Sequence, residues 1–337
     1  MGKIPGIAAA LCLAACAPTS GVGERPDASA RGVEDLRDNA IAANAAEPPW
    51  RHLIRHTNLA FPARAAHPGA SLDGSRFAYA SGEFGPRLQI AVRDVDGVSP
   101  IRITANGGDN LFPRISPDGR LVAYASNKDG NFDLYVARID APDAPTQVTF
   151  GEEDEIAPSW SPDGRRLACS SRRPGGLWQL VVVEVGTRIR TYLGPGLYPD
   201  WSPDRADPWI CFQTQPGPEG GRSGVAIVRP DGTGLRELVA DRARGWSALH
   251  PRFSPSGKWV AYGTLRRSPE SLAFGAPDEA DDIWVIRADG SYDTRLTDDL
   301  SPESWPSWGG ERVFFVSRRE GSQNVYSVRV KPLEEAP

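Results

Sequence analysis

Short runs of alternating apolar and polar residues recur along most of this 337-residue chain. In Phe112–Ser126, which reads FPRISPDGRLVAYAS, apolar runs lie on either side of Ser116-Pro117-Asp118-Gly119. Each residue of that tetrad suits one position of a type I turn, because Ser is common at the first, Pro fixes φ at the second, Asp tolerates the third and Gly the fourth. The stretch therefore predicts a β-hairpin closed by a tight turn.

The same pattern recurs at a regular distance. Three further copies match closely (Ala157–Ser171, Tyr198–Thr214 and His250–Thr264), and two weaker copies are His67–Ser81 and Trp305–Ser317. The prolines that lead the six copies lie 45, 45, 41, 52 and 55 residues apart, at Pro68, Pro113, Pro158, Pro199, Pro251 and Pro306. A strand-type repeat of this length is typical of a β-propeller with one blade per copy. We therefore predict an all-β, six-bladed β-propeller with four antiparallel strands per blade.

A fragment of a fourth strand precedes the first repeat. Complete repeats end in RIT, QVT or RLT, and Leu53–Thr57 (LIRHT) has the same form with no blade before it. The last repeat stops after its third strand, Asn324–Arg329. Pairing these two segments would close the ring and remove two exposed sheet edges. We predict that the amino-terminal strand completes the last blade.

The amino terminus has the features of a targeting segment. Lys3 precedes a short apolar run, Gly6–Ala15, which is too short to span a bilayer permanently. Leu13-Ala14-Ala15-Cys16 resembles the bacterial lipobox, which implies cleavage before Cys16 and lipidation of its thiol. The alternative is an ordinary cleavable signal in which Cys16 is incidental. Ala17 at the next position favours the outer membrane, facing the periplasm, in a cell that has one.

These features divide the chain into four parts. Residues 1–15 are predicted as a lipoprotein signal peptide, and residues 16–49 as the lipidated cysteine with a flexible tether. Residues 50–331 are the predicted propeller, and 332–337 a carboxyl-terminal tail. Cys169 and Cys211 fall on neighbouring blades, whose packed sheets lie about 10 Å apart, whereas a disulfide needs Cα atoms within about 7 Å. We predict that both are free, buried thiols.

The charge of the chain gives no sign of a nucleic-acid-binding surface. The sequence carries 38 Lys and Arg against 43 Asp and Glu, a net charge of −5, and the two signs alternate. A nucleic-acid-binding protein would instead gather basic residues on one face. We therefore expect no nucleic-acid partner, and we expect a monomer.

The PxWSPDGxxxAYxS unit, followed by an aliphatic third strand and a terminal Leu-Thr, resembles the repeat of TolB-like propellers. The match covers His67–Arg329 and is more specific for fold than for function. The resemblance implies a propeller that binds protein partners, among them the peptidoglycan-associated lipoprotein, at its channel mouth. TolB proteins carry an α/β domain before the propeller, whereas this chain has only the tether and a lipidation motif of its own.

Motifs of the common catalytic classes are absent from the sequence. It contains no Gly-x-Ser-x-Gly elbow, no His-Glu-x-x-His pair and no Walker-type phosphate loop. Asp94-Val95-Asp96-Gly97 reads as a hairpin turn and lacks the spacing of a calcium loop. We therefore predict a protein that is not an enzyme and that needs no cofactor.

Candidate binding residues come from two positions of the innermost strand, directly before and directly after the leading proline. Equivalent positions of a propeller form rings around its axis, so we predict a partner-binding surface at the channel mouth. Its residues are His67, Arg114, Tyr198, Asp200, His250, Arg252 and Trp305. A metal site at the two histidines would need a third ligand such as Asp200, and their blades are not neighbours. The three charged residues either pair with one another or hold an anionic group, such as a partner's carboxylate.

Taken together, the sequence suggests a non-enzymatic cell-envelope lipoprotein whose propeller is a binding scaffold for an envelope protein or a peptidoglycan-associated lipoprotein. Two long loops, Gln215–Arg222 and Leu265–Asp281, are predicted on one side of the ring, where loops on a rigid scaffold commonly carry recognition. Two alternatives stay open. One is a propeller enzyme of lyase or lactonase type with chemistry in the channel, and the other is a glycan-binding module.

Overall fold

The structure, a computed structural model, describes residues 53–60, 63–216, 222–240, 246–266, 279–298 and 301–330. These residues contain 24 strands in six antiparallel sheets of four. The first strands of neighbouring sheets contact one another in a circle, and the first strand of the last sheet contacts that of the first sheet. This arrangement confirms the predicted all-β, six-bladed propeller.

Several predicted features lie outside the described residues. They are the signal peptide, Cys16, the tether, the carboxyl-terminal tail and most of the two long loops in blades four and five. In the part of the chain that the structure describes, no helix is long and apolar enough to cross a bilayer.

Blades one to three each run in chain order from the axis outward. Blade one contains β2 (Ala65–Ala70), β3 (Arg76–Ser81), β4 (Gln89–Asp94) and β5 (Ile101–Arg102). Blade two contains β6 (Asn110–Ile115), β7 (Leu121–Ser126), β8 (Asp133–Arg138) and β9 (Thr146–Gln147). Blade three contains β10 (Asp154–Trp160), β11 (Arg166–Arg172), β12 (Gln179–Glu184) and β13 (Arg190–Pro195).

Blades four and five follow the same plan, and blade six borrows its outer strand from the amino-terminal end. Blade four contains β14 (Leu197–Trp201), β15 (Ile210–Gln213), β16 (Val225–Val228) and β17 (Arg236–Val239). Blade five contains β18 (Ser247–Phe253), β19 (Trp259–Arg266), β20 (Glu279–Arg287) and β21 (Thr294–Arg295). Blade six contains β22 (Glu303–Gly309), β23 (Arg312–Ser317), β24 (Asn324–Arg329) and β1 (Ile54–Arg55).

The turn between the first two strands of a blade has the predicted geometry. In blade two the amide of Gly119 donates to the carbonyl of Ser116 at 2.9 Å, which closes the turn. The Ser116 hydroxyl donates to Asp118 at 2.5 Å and accepts from the amide of Leu121 at 2.9 Å. Gly119 has φ 72°, in the left-handed region that a Cβ disfavours. The Ser-Pro-Asp-Gly tetrad is therefore a self-bonded turn that fixes the register of the hairpin.

The ring closes as predicted, because β1 pairs with β24 in the antiparallel sense and Ile54 lies opposite Ser327. Thr57 continues the contact after β1 ends. Its hydroxyl donates to Asn324 Oδ1 at 2.8 Å and accepts from the amide of Val325 at 2.9 Å. The same Oδ1 accepts from the amide of Leu59 at 2.8 Å. Buried side-chain hydrogen bonds thus extend a closure strand that itself has only two residues.

The aromatic residues of the inner strands lie between blades. Trp160, Trp201, Phe253 and Trp308 are all buried in apolar clusters that join neighbouring sheets. Cys169 and Cys211 are free and buried, as predicted. Burial of such large rings is the main favourable term in holding one sheet against the next.

Polar side chains also lie at the junction between blades two and three. Glu155, at the start of the inner strand of blade three, is 1% exposed and accepts from Arg190 and from Ser171, each at 3.1 Å. Its second carboxylate oxygen has no hydrogen-bond partner within the described part of the chain. Burial, opposed by Arg190, raises the pKa of Glu155 to about 7. Burial also raises the pKa of the neighbouring Asp133 of blade two. This junction therefore holds a proton at a pH where carboxyl groups are normally ionised.

Candidate functional site

A β-bulge interrupts the inner strand of every blade at its leading proline. In each blade the register against the second strand shifts across the residue before the proline and the proline itself. The residue before the proline has a positive φ, between 51° and 58°, in all six blades: His67, Phe112, Ala157, Tyr198, His250 and Trp305. A bulge of this kind redirects a side chain. Here the six bulges turn one side chain of each blade toward the axis.

Five of these six side chains form a cluster of rings that we call the aromatic plug: His67, Phe112, Tyr198, His250 and Trp305. His250 stacks on Trp305 with ring centroids 3.5 Å apart, and His67 meets the same indole edge-on at 4.4 Å. Phe112 lies 4.1 Å from His67 and 5.9 Å from Tyr198. Since rings of blades two, four and six, which are not neighbours, approach one another within 6 Å across the axis, the plug fills the axis at this level.

The two histidines of the plug are neutral. Burial among the rings, together with Arg114, lowers the pKa of His67 well below its usual value, and burial together with Arg252 does the same for His250. Both histidines contact Trp305, which brings blades one and five together through blade six. Among the described residues, no group of three or more His, Cys, Asp and Glu side chains could hold a metal ion.

A cavity of about 70 Å³ lies on the axis beside the plug. Its walls are formed by residues that follow the leading prolines and by the prolines of three hairpin turns, Pro117, Pro162 and Pro203. It reaches the surface at Leu72, whose side chain is 42% exposed. A volume of this size holds several water molecules or one small ionic group.

Two arginines line this cavity and are buried. Arg114 Nη1 donates to the carbonyls of Pro113 at 2.7 Å and Pro68 at 3.1 Å. Arg252 Nη1 donates to the carbonyl of Pro251 at 2.9 Å and, at longer range, to that of Pro199 at 3.3 Å. The bulges interrupt the strand pairing at these prolines, and each guanidinium donates to carbonyls of two blades. Burial lowers the pKa of both groups, yet a guanidinium stays charged at neutral pH.

Asp200 is the third charged residue of the cavity wall. Its Oδ1 accepts from the Ser159 hydroxyl at 2.9 Å and lies 4.0 Å from Arg252 Nη1. Its Oδ2 accepts from the amide of Phe253 at 2.9 Å. We call Arg114, Asp200 and Arg252 the charged floor. With two guanidinium groups and one carboxylate, the floor carries a net charge of +1.

The position after the proline also joins neighbouring blades. The Ser159 hydroxyl accepts from the amide of Trp201 at 3.0 Å, and the Ser307 hydroxyl accepts from the amide of Ala70 at 2.9 Å. Asp200 bonds the amide of Phe253 in the same way. The residue after the proline can therefore bond to the neighbouring blade, face the axis, or do both. The residues of the charged floor do both.

The structure places all seven sequence-predicted site residues around the axis, but in two layers. His67, Tyr198, His250 and Trp305 belong to the aromatic plug, and Arg114, Asp200 and Arg252 form the charged floor of the cavity. Their role in partner binding stays a prediction. The sequence pattern placed both positions together at one channel mouth and gave no sign of the bulge. Alternation along a strand already puts the residues before and after the proline on one face, so spacing alone could not show that the bulge separates them into two layers.

A model of the TolB beta propeller domain matches residues 63–273, which is more than half of the chain. The chain belongs to this family. Among solved structures, a putative TolB from Agrobacterium tumefaciens is 21% identical, with a TM-score of 0.60, over 80% of this chain and 91% of that one. TolB from Acinetobacter baumannii is 17% identical, with a TM-score of 0.56, over 77% of this chain and 64% of that one.

An oligogalacturonate lyase from Vibrio parahaemolyticus is 16% identical, with a TM-score of 0.56, over 82% of this chain and 93% of that one. No curated protein matched the sequence. At these identities the likeness shows the fold alone, so the function of this TolB-type propeller has to be argued from its own residues.

Gly69 shows how closely the blades of this TolB-type propeller approach at the floor. A Cβ at this position would lie 2.2 Å from the carbonyl oxygen of Pro113 and 3.0 Å from Arg114 Nη1. We expect Gly69→Ala to lower the free energy of unfolding by about 2 kcal/mol in urea denaturation, because backbone must move to relieve the overlap. Gly107→Ala, where an added Cβ meets nothing within 4 Å, is the matched control. Equal losses in the two variants would contradict this packing.

Proposed function

We propose that this protein is a lipid-anchored component of the bacterial cell envelope whose propeller binds another protein and catalyses no reaction. The docking surface in this proposal is the end of the axis where the cavity reaches Leu72. Membership of the TolB propeller family supports a scaffold of this kind. The lipobox-like Leu13–Cys16 supports the anchor and the location.

The single observation that carries the proposal is the composition of this axial end. An apolar rim of Leu72, Pro117, Pro162 and Pro203 surrounds a buried floor with a net positive charge. Protein-binding surfaces commonly combine apolar contacts with a few buried polar anchors. The aromatic plug blocks the channel behind the floor. A partner would therefore insert one side chain and could not pass through the ring.

The proposal is tested by co-purification with tagged full-length protein from detergent-solubilised envelopes. Leu72→Asp changes the rim, and it is compared with Leu177→Asp, which replaces an exposed leucine in the turn between β11 and β12 at the other end of the ring. We expect a specific protein to be recovered with the wild type and with Leu177→Asp, and to be lost with Leu72→Asp. Recovery of no specific protein, or loss only with Leu177→Asp, would overturn the proposal.

The lipid anchor is tested separately. Cells that express the protein are labelled with radioactive palmitate, and the label is expected on the wild-type chain and absent from Cys16→Ser. A chain that carries no label in either form would show that Leu13–Cys16 is an ordinary signal, and the envelope anchor would have to be abandoned. A multiply acylated cysteine gives durable membrane attachment, since each buried CH₂ contributes about 0.8 kcal/mol.

A further inference from the structure

Four buried N–H groups around the axial cavity have no hydrogen-bond partner among the residues that the structure describes. They are Nε of Arg114, Nε of Arg252, Nε1 of Trp201 and Nε1 of Trp308, and all four residues line the cavity. Each of these residues is at most 8% exposed. The equivalent indole of Trp160, by contrast, donates to the carbonyl of Arg114 at 3.0 Å. The wall of this one cavity therefore concentrates unused donors.

The acceptors of the same cavity are already engaged. Asp200 uses one carboxylate oxygen for Ser159 and the other for the amide of Phe253. The proline carbonyls accept from the Nη1 atoms of the two arginines. The floor also keeps its net charge of +1. What the cavity lacks, in hydrogen bonds and in charge, is a negatively charged acceptor.

Unsatisfied donors and an uncompensated net charge are unfavourable in a buried site. A buried donor without an acceptor loses the hydrogen bonds that it would make to water, and a buried charge without a counter-charge is more unfavourable still. A carboxylate or another small oxyanion would supply several acceptor lone pairs and one negative charge. The volume of about 70 Å³ suits a group of this size. A whole sugar or nucleotide would need several times that space.

We propose that the charged floor is an anion-binding site that takes a carboxylate. The source of the carboxylate is an acidic side chain of a docked protein, and this part rests on the proposed function. The apolar rim around the cavity then packs against the residues that flank the acidic side chain. Charge complementarity with the floor selects an acidic segment over a neutral or basic one.

The test uses the purified full-length protein in detergent and its tryptophan fluorescence, because three of its ten tryptophans, Trp160, Trp201 and Trp308, line the cavity. The probe is a blocked pentapeptide, Gly-Gly-Glu-Gly-Gly, and its control is the same peptide with Gln in place of Glu. We expect a saturable change with the Glu peptide, at least tenfold weaker binding of the Gln peptide, and competition by inorganic phosphate.

Variants test the assignment of the floor. Arg252→Gln is expected to weaken binding of the Glu peptide at least tenfold. Asp200→Asn keeps the shape, raises the net charge of the floor by one, and is expected to tighten binding about tenfold, so it tests the site even if Arg252→Gln does not fold. Arg138→Gln, which removes an exposed arginine far from the axis, is the control and is expected to change nothing.

Each result decides between named outcomes. If no probe binds, or if Asp200→Asn and Arg138→Gln bind the Glu peptide as the wild type does, the anion site is wrong. Binding of phosphate but not of the Glu peptide would leave an inorganic-anion site and overturn the assignment to a protein carboxylate. Peptide binding together with an empty co-purification would overturn the docking scaffold and leave the site standing, so the two proposals fail separately.

Discussion

Replacing Thr57 with valine is expected to detach the amino-terminal strand from blade six. The substitution removes the donor to Asn324 Oδ1 and the acceptor for the amide of Val325, both of which are buried. Losing both partners should cost about 3 kcal/mol. Since each 1.4 kcal/mol is a factor of ten in an equilibrium, the opened ring becomes about a hundred times more populated. Limited trypsin digestion should therefore cut after Arg55 about a hundredfold faster than in the wild type.

Thr104 provides a control with the same chemistry inside blade one. Its hydroxyl donates to Gln89 Oε1 at 2.8 Å and accepts from the amide of Ile90 at 2.8 Å. Thr104→Val should lower the free energy of unfolding by a similar amount and leave cleavage after Arg55 unchanged. If Thr57→Val is cut no faster than Thr104→Val, the closure of the ring does not depend on the contact between β1 and β24.

Glu155→Gln is expected to remove a pH dependence of stability worth about 3 kcal/mol. The pKa of Glu155 is raised from 4.5 to about 7 in the folded protein, so the folded state binds a proton that the unfolded state releases. Its contribution is present below about pH 4.5 and is lost as the pH rises through about 7. Gln mimics the protonated form. Urea unfolding should find the variant about 3 kcal/mol more stable than the wild type at pH 8 and equal to it near pH 4.5.

The control for this prediction is Glu152→Gln, which removes an exposed carboxylate just before the strand that carries Glu155. It is expected to leave the stability difference between the two pH values unchanged. If Glu155→Gln is less stable than the wild type at pH 8, the ion pair with Arg190, at 3.1 Å, outweighs the cost of burying the carboxylate. That outcome would contradict a protonated junction.

The fold could be predicted from the sequence because the features that determine it are local and repeat along the chain. The Ser-Pro-Asp-Gly turn encodes a hairpin by its own hydrogen bonds, and six copies at a propeller period leave few other architectures. The closure by Leu53–Thr57 followed from counting strands at the two ends. Each of these inferences depends on spacing and turn chemistry, which tertiary contacts rarely override.

The candidate site could be predicted from the sequence only in part. Sequence position alone put Arg114, Asp200 and Arg252 on the axis, but it could not separate them from the aromatic plug. That separation depends on the bulges, and a positive φ before proline is a tertiary outcome. The sequence also could not predict that the indole N–H groups of Trp201 and Trp308 lack an acceptor. The equivalent indole of Trp160 has one, and the difference lies in the neighbouring backbone.

Ring closure and the axial site are physically linked. Ser307 and Trp308, at the end of the inner strand of blade six, form part of the cavity wall, and the Ser307 hydroxyl holds the amide of Ala70 in blade one. A blade six that loses its outer strand would hold these residues less firmly. Thr57→Val is therefore expected to weaken the axial site as well as the closure.

The anion site at the charged floor can be located directly in a crystal structure of the full-length protein soaked in selenate, with the anion found by anomalous scattering. We expect a peak on the axis, within hydrogen-bond distance of the guanidinium groups of Arg114 and Arg252, in the wild type and no such peak in Arg252→Gln. Selenate bound only at exposed surface residues, with none in the axial cavity of the wild type, would show that the charged floor does not bind anions.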